Sequence, residues 1–349
     1  MDSYQTFQSI QAIVTGDSSQ IEIAPLLWEH RCYYLLSLLQ DNPYSEKLKK
    51  KILINQQTIL VRFNVLKILL KEIKFPYAII KGPVLSKRAF QNDSIRVSGD
   101  IDILIQKKDS EKYVDLLLQH GFQQGYLEKG KIVPYSREQI IFHEIYTHQM
   151  APYIKETESL FCPFINIDIN TDIFWGDALE SGDSSLVLNE RQKIEMYNIG
   201  NIYCLNPEME FICLCLHHYK DLNSIFLLYS KGMRLSLFCD IFFYIKNNIL
   251  DLKKLIHLSN SLGTGKYIYY CLYFCNEIFN EEILQKYLNL FSHYKDEKLQ
   301  SSFGLGIHQH FWPIPFEERL FSKNLGKEII PLLSAKEWDD LQTNLQFIH

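Results

Sequence analysis

The sequence predicts an α+β fold: a small mixed β-sheet core flanked by a helical N-terminal region and a large helical C-terminal region. Three observations predict it. Apolar residues recur at helical spacing before residue 74 and again from Asn206 almost to the end. Between them, "YAII", "IDILI" and "FINIDI" are short, isoleucine-rich and alternating, as strands are. No internal repeat or low-complexity tract interrupts this order. The expected organisation is 1–74 helical, 75–180 the sheet core and 181–349 helical.

The N-terminal helices run from about Pro25 to Gln40 and from Tyr44 to Ile73, with "DNPY" as the break. Pro76 ends the second, and Tyr77 to Ile80 form a buried strand that stops at Lys81-Gly82. "PVLSKRAFQ" reads as a short helix with Pro83 in its first turn. Ile101 to Ile105 is the second strand. "SEKYVDLLLQHGF" follows as an amphipathic helix, with Ser110 as its cap and Gly121 as its stop. "EQIIFHEIYTHQM" alternates and is expected to be a strand, as is Phe164 to about Ile169. Asn206 caps the next helix, with Pro207 at its first position.

The 349 residues suffice for a sizeable core, and 47% hydrophobic content with 22% charge excludes wholesale disorder. A net charge of −5 offers no broad basic field, so no long nucleic acid is expected as a partner. The N-terminus lacks the charge and apolar run of a secretory signal, and "FICLCLHHY" and "LFCDIFFYI" are too short to span a bilayer. A cytoplasmic protein without a membrane partner is the expectation. The eight cysteines contain no CxxC and lie in apolar segments, as reduced core thiols do.

The chemistry concentrates between Lys81 and Asp168. Side chains alternate along a strand, so Asp100 and Asp102 share a face while Ile101 and Ile103 enter the core. Two like charges side by side in low dielectric are costly, and a divalent cation removes that cost. Hard oxygen ligands suit Mg²⁺ or Mn²⁺. A third carboxylate on a neighbouring strand would complete the set; Asp168 is of the right kind, with Asp172 and Asp177 as rivals. Gly82 lets a phosphate approach the backbone, the helix after it offers free N–H groups, and Lys81 adds a point charge.

Lys81, Gly82, Arg96 and the Asp100-x-Asp102 pair together resemble a bacterial nucleotidyltransferase family with the DNA polymerase β-type catalytic fold. "NIDIN" matches the place of the third acid, and His217 and Asp240 match a downstream helical segment. The resemblance implies transfer of NMP from an NTP such as ATP to a hydroxyl or phosphate of a small-molecule or peptide/protein acceptor. It implies Asp100, Asp102 and Asp168 as the catalytic and metal-binding carboxylates. Lys81, Gly82, Arg96, Ser98, Gly99, His217 and Lys220 would bind the nucleotide. The chain departs from the pattern at Pro83, which removes one phosphate-binding N–H, in a longer Gly82–Asp100 spacing, and at Asn170, where a His is usual. Glycosyl transfer from a nucleotide sugar, or a nucleotide-binding module without turnover, are the alternatives.

His217, His218, Lys220 and Asp240 are read from their own sequence as packing residues of apolar helices. Three further motifs carry no expected role. "SLGTGKY" lacks the phosphate-loop spacing, "HEIYTH" sits in a strand-like run, and His308 and His310 have no third ligand nearby.

Overall fold

Isoleucines at every second position build the central sheet. The computed structural model describes residues 3–146, 149–175, 178, 180, 182–196, 200–306 and 309–347. It divides into two compact units, residues 51–213 and residues 1–50 with 214–348.

The first unit holds eight strands: β1 (Tyr77–Ile80), β2 (Ile101–Ile105), β3 (Gln123–Glu128), β4 (Lys131–Pro134), β5 (Tyr153–Glu156), β6 (Phe164–Asn170), β7 (Arg191–Met196) and β8 (Gly200–Leu205). Their order across the sheet is β4-β3-β5-β6-β2-β1-β8-β7. The β6–β2 and β1–β8 pairs are parallel and the others antiparallel, so the sheet is mixed and the α+β class holds. The expected strands at 77–80 and 101–105 form over those residues, and the third runs one residue further, to Asn170.

Register sorts the two faces. Ile79 lies opposite Ile103, and Ile101 opposite Ile167, so isoleucines from three strands meet on one side. The helix Ser45–Glu72 covers that side with Ile59, Phe63, Leu66 and Leu69, and the helix Ser110–Gln119 with Tyr113 and Leu117. Each such buried side chain stabilises the fold by about 1.5–3 kcal/mol relative to exposure. The same alternation leaves Asp102 and Leu104 of β2, and Asn166, Asp168 and Asn170 of β6, on the opposite face.

Three expectations are corrected, the first being that β7 and β8 put part of the stretch 181–349, expected to be helical, into the sheet. Residues 137–146 form a helix, Arg137–Tyr146, and not a strand. A capping box decides it: the Ser136 N–H donates to Gln139 Oε1 at 2.9 Å, and the Gln139 N–H donates to Ser136 Oγ at 3.2 Å. Ser110 is the first residue of its helix, with Asp109 at the cap position, while Gly121 takes φ +78° just beyond the end, as expected of a stop. Strands β3, β4 and β7 carry many charged and polar residues, because they lie at or next to the sheet edges where one face or both meet water.

The second unit is helical. The helices Leu235–Asn247 and Gly265–Phe279 are its most buried elements, with Phe238, Phe242, Tyr270 and Cys271 each 1% exposed or less. All eight cysteines are free thiols. Among the described residues no helix is long and apolar enough to cross a membrane.

Candidate active site

The polar row on the face of the sheet opposite the isoleucines sits where β1, β2 and β6 lie side by side. Asp102 is directly opposite Asp168 across the parallel β2–β6 pair, and opposite Ile80 across the antiparallel β1–β2 pair. Asp100 precedes β2 by one residue. Asp102 is 7% exposed, so its charge needs a partner. Lys81 supplies one, its Nζ lying 3.1 Å from Asp102 Oδ1.

Asn170, the place where the family pattern favours His, is buried and ties the row together. Its Nδ2 donates to Asp102 Oδ1 at 3.3 Å and to the Asp168 carbonyl at 3.4 Å, while its Oδ1 accepts from Gln149 Nε2 at 2.7 Å. Burial, and then the charge of Asp102, raise the pKa of the Asp100 carboxyl, against the opposing pull of Lys81, Arg62 and Arg96.

Lys81 and Gly82 make the turn from β1 into the helix Gly82–Phe90. Lys81 has φ +62° and ψ −147°, a conformation that is strained for any residue with a Cβ, and Gly82 has φ +56°. Pro83 fits the second position of that helix, where its fixed φ is helical.

The long stretch from Gly82 to Asp100 is tied down. Asn92 Oδ1 accepts the backbone N–H of Ser94 and of Ile95, and Ser86 Oγ accepts that of Arg96. Two residues the sequence reading passed over complete the anchoring. Arg62, 7% exposed, donates from Nη1 to the Ser98 carbonyl at 2.8 Å and from Nη2 to the Gly99 carbonyl at 2.5 Å. Asn55, seven residues earlier on the same helix, donates to the carbonyls of Ser94 and Arg96. The available signal was a guanidinium and an amide on the face of a helix that otherwise buries Ile59, Phe63 and Leu66. Arg96, Ser98 and Gly99 are therefore held at the mouth of the carboxylate row.

Of the rival acids, Asp172 turns its carboxylate to the backbone N–H groups of Phe174 and Gly182. Asp177 lies outside the described residues, as do His148 and His308. Near Asp168 stands Tyr135, whose phenol is pushed up to about 12 by burial and then by the Asp168 charge. Its ring centre is 5.4 Å from that of Tyr126 and 5.3 Å from that of His143. His217 and Lys220 belong to the helical unit, where His217 Nε2 lies 3.4 Å from Asp221 Oδ2. His218 and Asp240 pair in that unit at 3.2 Å, both buried, as packing residues.

Carboxylates on and just before adjoining strands, Asp100 and Asp102 with Asp168, are the donor type a hard divalent cation takes. Among the described residues no three His, Cys, Asp or Glu side chains already converge on one point, and the Lys81 ammonium stands on Asp102. The donor set fits a cation in kind, with Lys81 as the charge that it would have to displace.

A family described as an uncharacterised nucleotidyltransferase matches residues 18–280 of the chain. No curated protein matches it.

Proposed function

Since the chain belongs to the uncharacterised nucleotidyltransferase family, we propose that it moves NMP from an NTP to a hydroxyl or phosphate oxygen of a small-molecule or peptide/protein acceptor. The observation that carries the reading is the register of Asp102 against Asp168, with Lys81 on Asp102. In a polymerase β-type reaction, the acceptor oxygen forms a bond to the α-phosphorus as the bond to the β-phosphate bridging oxygen breaks, and pyrophosphate leaves.

Asp100, Asp102 and Asp168 would hold Mg²⁺ or Mn²⁺. A metal bound there supplies charge neutralisation of the phosphates and a lowered pKa for the attacking hydroxyl. Asp168, near Tyr135, would accept the acceptor's proton. Lys81, released from Asp102, would pair with triphosphate oxygens; Arg96, with its forked donors, would do the same from the anchored loop. Ser98 and Gly99 would line the approach. His217 and Lys220 are proposed as further nucleotide contacts from the family pattern alone.

The test is calorimetric binding of ATP, GTP, CTP and UTP with Mg²⁺, to wild type and to Asp102→Asn, followed by pyrophosphate release with candidate acceptors. Metal-dependent binding of one NTP, weakened at least about tenfold in the variant, is the expected result. Binding of no NTP by folded protein would sink the reading. A nucleotide-binding module without turnover is the second reading, favoured by the Lys81 contact that covers Asp102. Tight NTP binding that the variant leaves unchanged would select it.

A further inference from the structure

The helical unit buries a cation that no carboxylate touches among the described residues. Arg319, in the short helix Phe316–Phe321, is 3% exposed. Its guanidinium carbon lies 4.6 Å from the ring centre of Trp312, 5.2 Å from Phe274 and 5.4 Å from Phe316. Among the described residues it makes no ion pair, and its one hydrogen bond to another element is a long one, 3.5 Å from Nη2 to the Gln300 carbonyl. Glu317, two positions away, acts on it only through space. A guanidinium has five donors, and a buried one is normally paired.

The neighbours deepen the mismatch. Arg319 Nε, Trp312 Nε1 and Gln300 Nε2 are all buried donors without an acceptor. They belong to one neighbourhood: Trp312 stacks on Arg319, the Trp312 backbone N–H donates to the Ser301 carbonyl at 2.9 Å, and Gln300 adjoins Ser301. Arg319 Nε and the two neighbouring donors, at a buried guanidinium that makes no ion pair among the described residues, ask for oxygen atoms carrying negative charge. Trp312 and Gln300 are themselves only half-buried, so the set lies just beneath the surface.

We propose that Arg319, Trp312 and Gln300 bind a small oxyanion, a phosphate or a carboxylate, against the aromatic wall of Phe274, Trp312 and Phe316. The guanidinium fork takes two of its oxygens, and the indole and amide N–H groups take the remainder. This binding is separate from the carboxylate row of the sheet unit and holds whether or not that row transfers nucleotides.

The experiment is thermal unfolding of the full chain in inorganic phosphate, in acetate and in chloride at matched ionic strength. A rise in Tm of at least about 2 °C in about 10 mM phosphate or acetate over chloride is expected. Which of the two acts identifies the anion. Arg319→Met, an apolar side chain of similar length in an aromatic cage, should abolish the rise. Trp312→Phe keeps the wall, removes one donor and should weaken the anion at least about threefold. The rise should persist in Lys81→Met, which separates it from anion binding at the sheet. Equal Tm in all three salts, or an undiminished rise in both Arg319→Met and Trp312→Phe, would overturn the proposal. Should Arg319→Met fail to fold, Arg319→Lys together with Trp312→Phe decides the matter on the same readout.

Discussion

Replacing Lys81 by Met should tighten divalent-metal binding while weakening nucleotide binding, opposite signs from one substitution. In the protein alone, Lys81 Nζ sits 3.1 Å from Asp102 Oδ1, with side-chain exposures of 16% and 8%. Two unit charges at that separation attract by about 5 kcal/mol at an effective dielectric of 20, before desolvation is subtracted. The net value of a charge-assisted hydrogen bond is about 1.5–3 kcal/mol. A metal entering the row must displace this contact, so its removal should raise metal association by roughly tenfold to a hundredfold. The same change leaves buried carboxylates uncompensated and should lower stability in chelator by about 3 kcal/mol, with Mn²⁺ restoring most of it. Mn²⁺ titration followed by electron paramagnetic resonance, with unfolding in chelator and in Mn²⁺, reads both effects. Metal affinity in Lys81→Met equal to or below that of wild type would refute the displacement argument.

Three further outcomes are expected. Arg62→Met removes two hydrogen bonds to the Ser98 and Gly99 carbonyls and should cost about 2–4 kcal/mol in denaturant unfolding, with weaker NTP binding. Ser136→Ala breaks the capping box of the helix Arg137–Tyr146 and should cost about 1 kcal/mol on the same assay. His30 is held to about 4, chiefly by burial, and its Nδ1 accepts the Leu235 N–H at 3.1 Å. Because the unfolded chain takes up this proton before the folded one does, stability should fall as pH drops from about 6.5 towards about 4, by up to roughly 3 kcal/mol. His30→Asn, which retains an acceptor, should flatten that part of the profile in a pH series of urea unfolding curves.

Much of the central sheet was legible because its signals are local. Isoleucine alternation put Asp102 and Asp168 on neighbouring strands, Asp100 falls one residue before β2, and Lys81-Gly82 marked the end of β1. What escaped was of two kinds. Residues 137–146 mix apolar and polar residues in a way that suits either period, and only the reciprocal bonds of Ser136 and Gln139 choose the helix. The edge hairpin β3–β4 turns through Lys129 and Gly130, both with positive φ, but its strands are too polar to stand out. Arg62 and Asn55 act across more than thirty residues of chain, a separation at which periodicity carries no information about who meets whom. The orphan donors around Arg319 were invisible for the same reason.

The helix Ser45–Glu72 is more than a cover for the sheet. Since Asn55 and Arg62 bind four carbonyls of the segment from Ser94 to Gly99, the mouth of the site is fastened by residues translated before any part of it. A recombinant fragment that starts at β1 would carry every acidic residue of the row and still present a loose entrance. Chimeras that exchange the sheet between relatives would need to carry this helix with it. Substitutions at positions 55 and 62 would be expected to drift together with those at 94–99, as a lock does with its key.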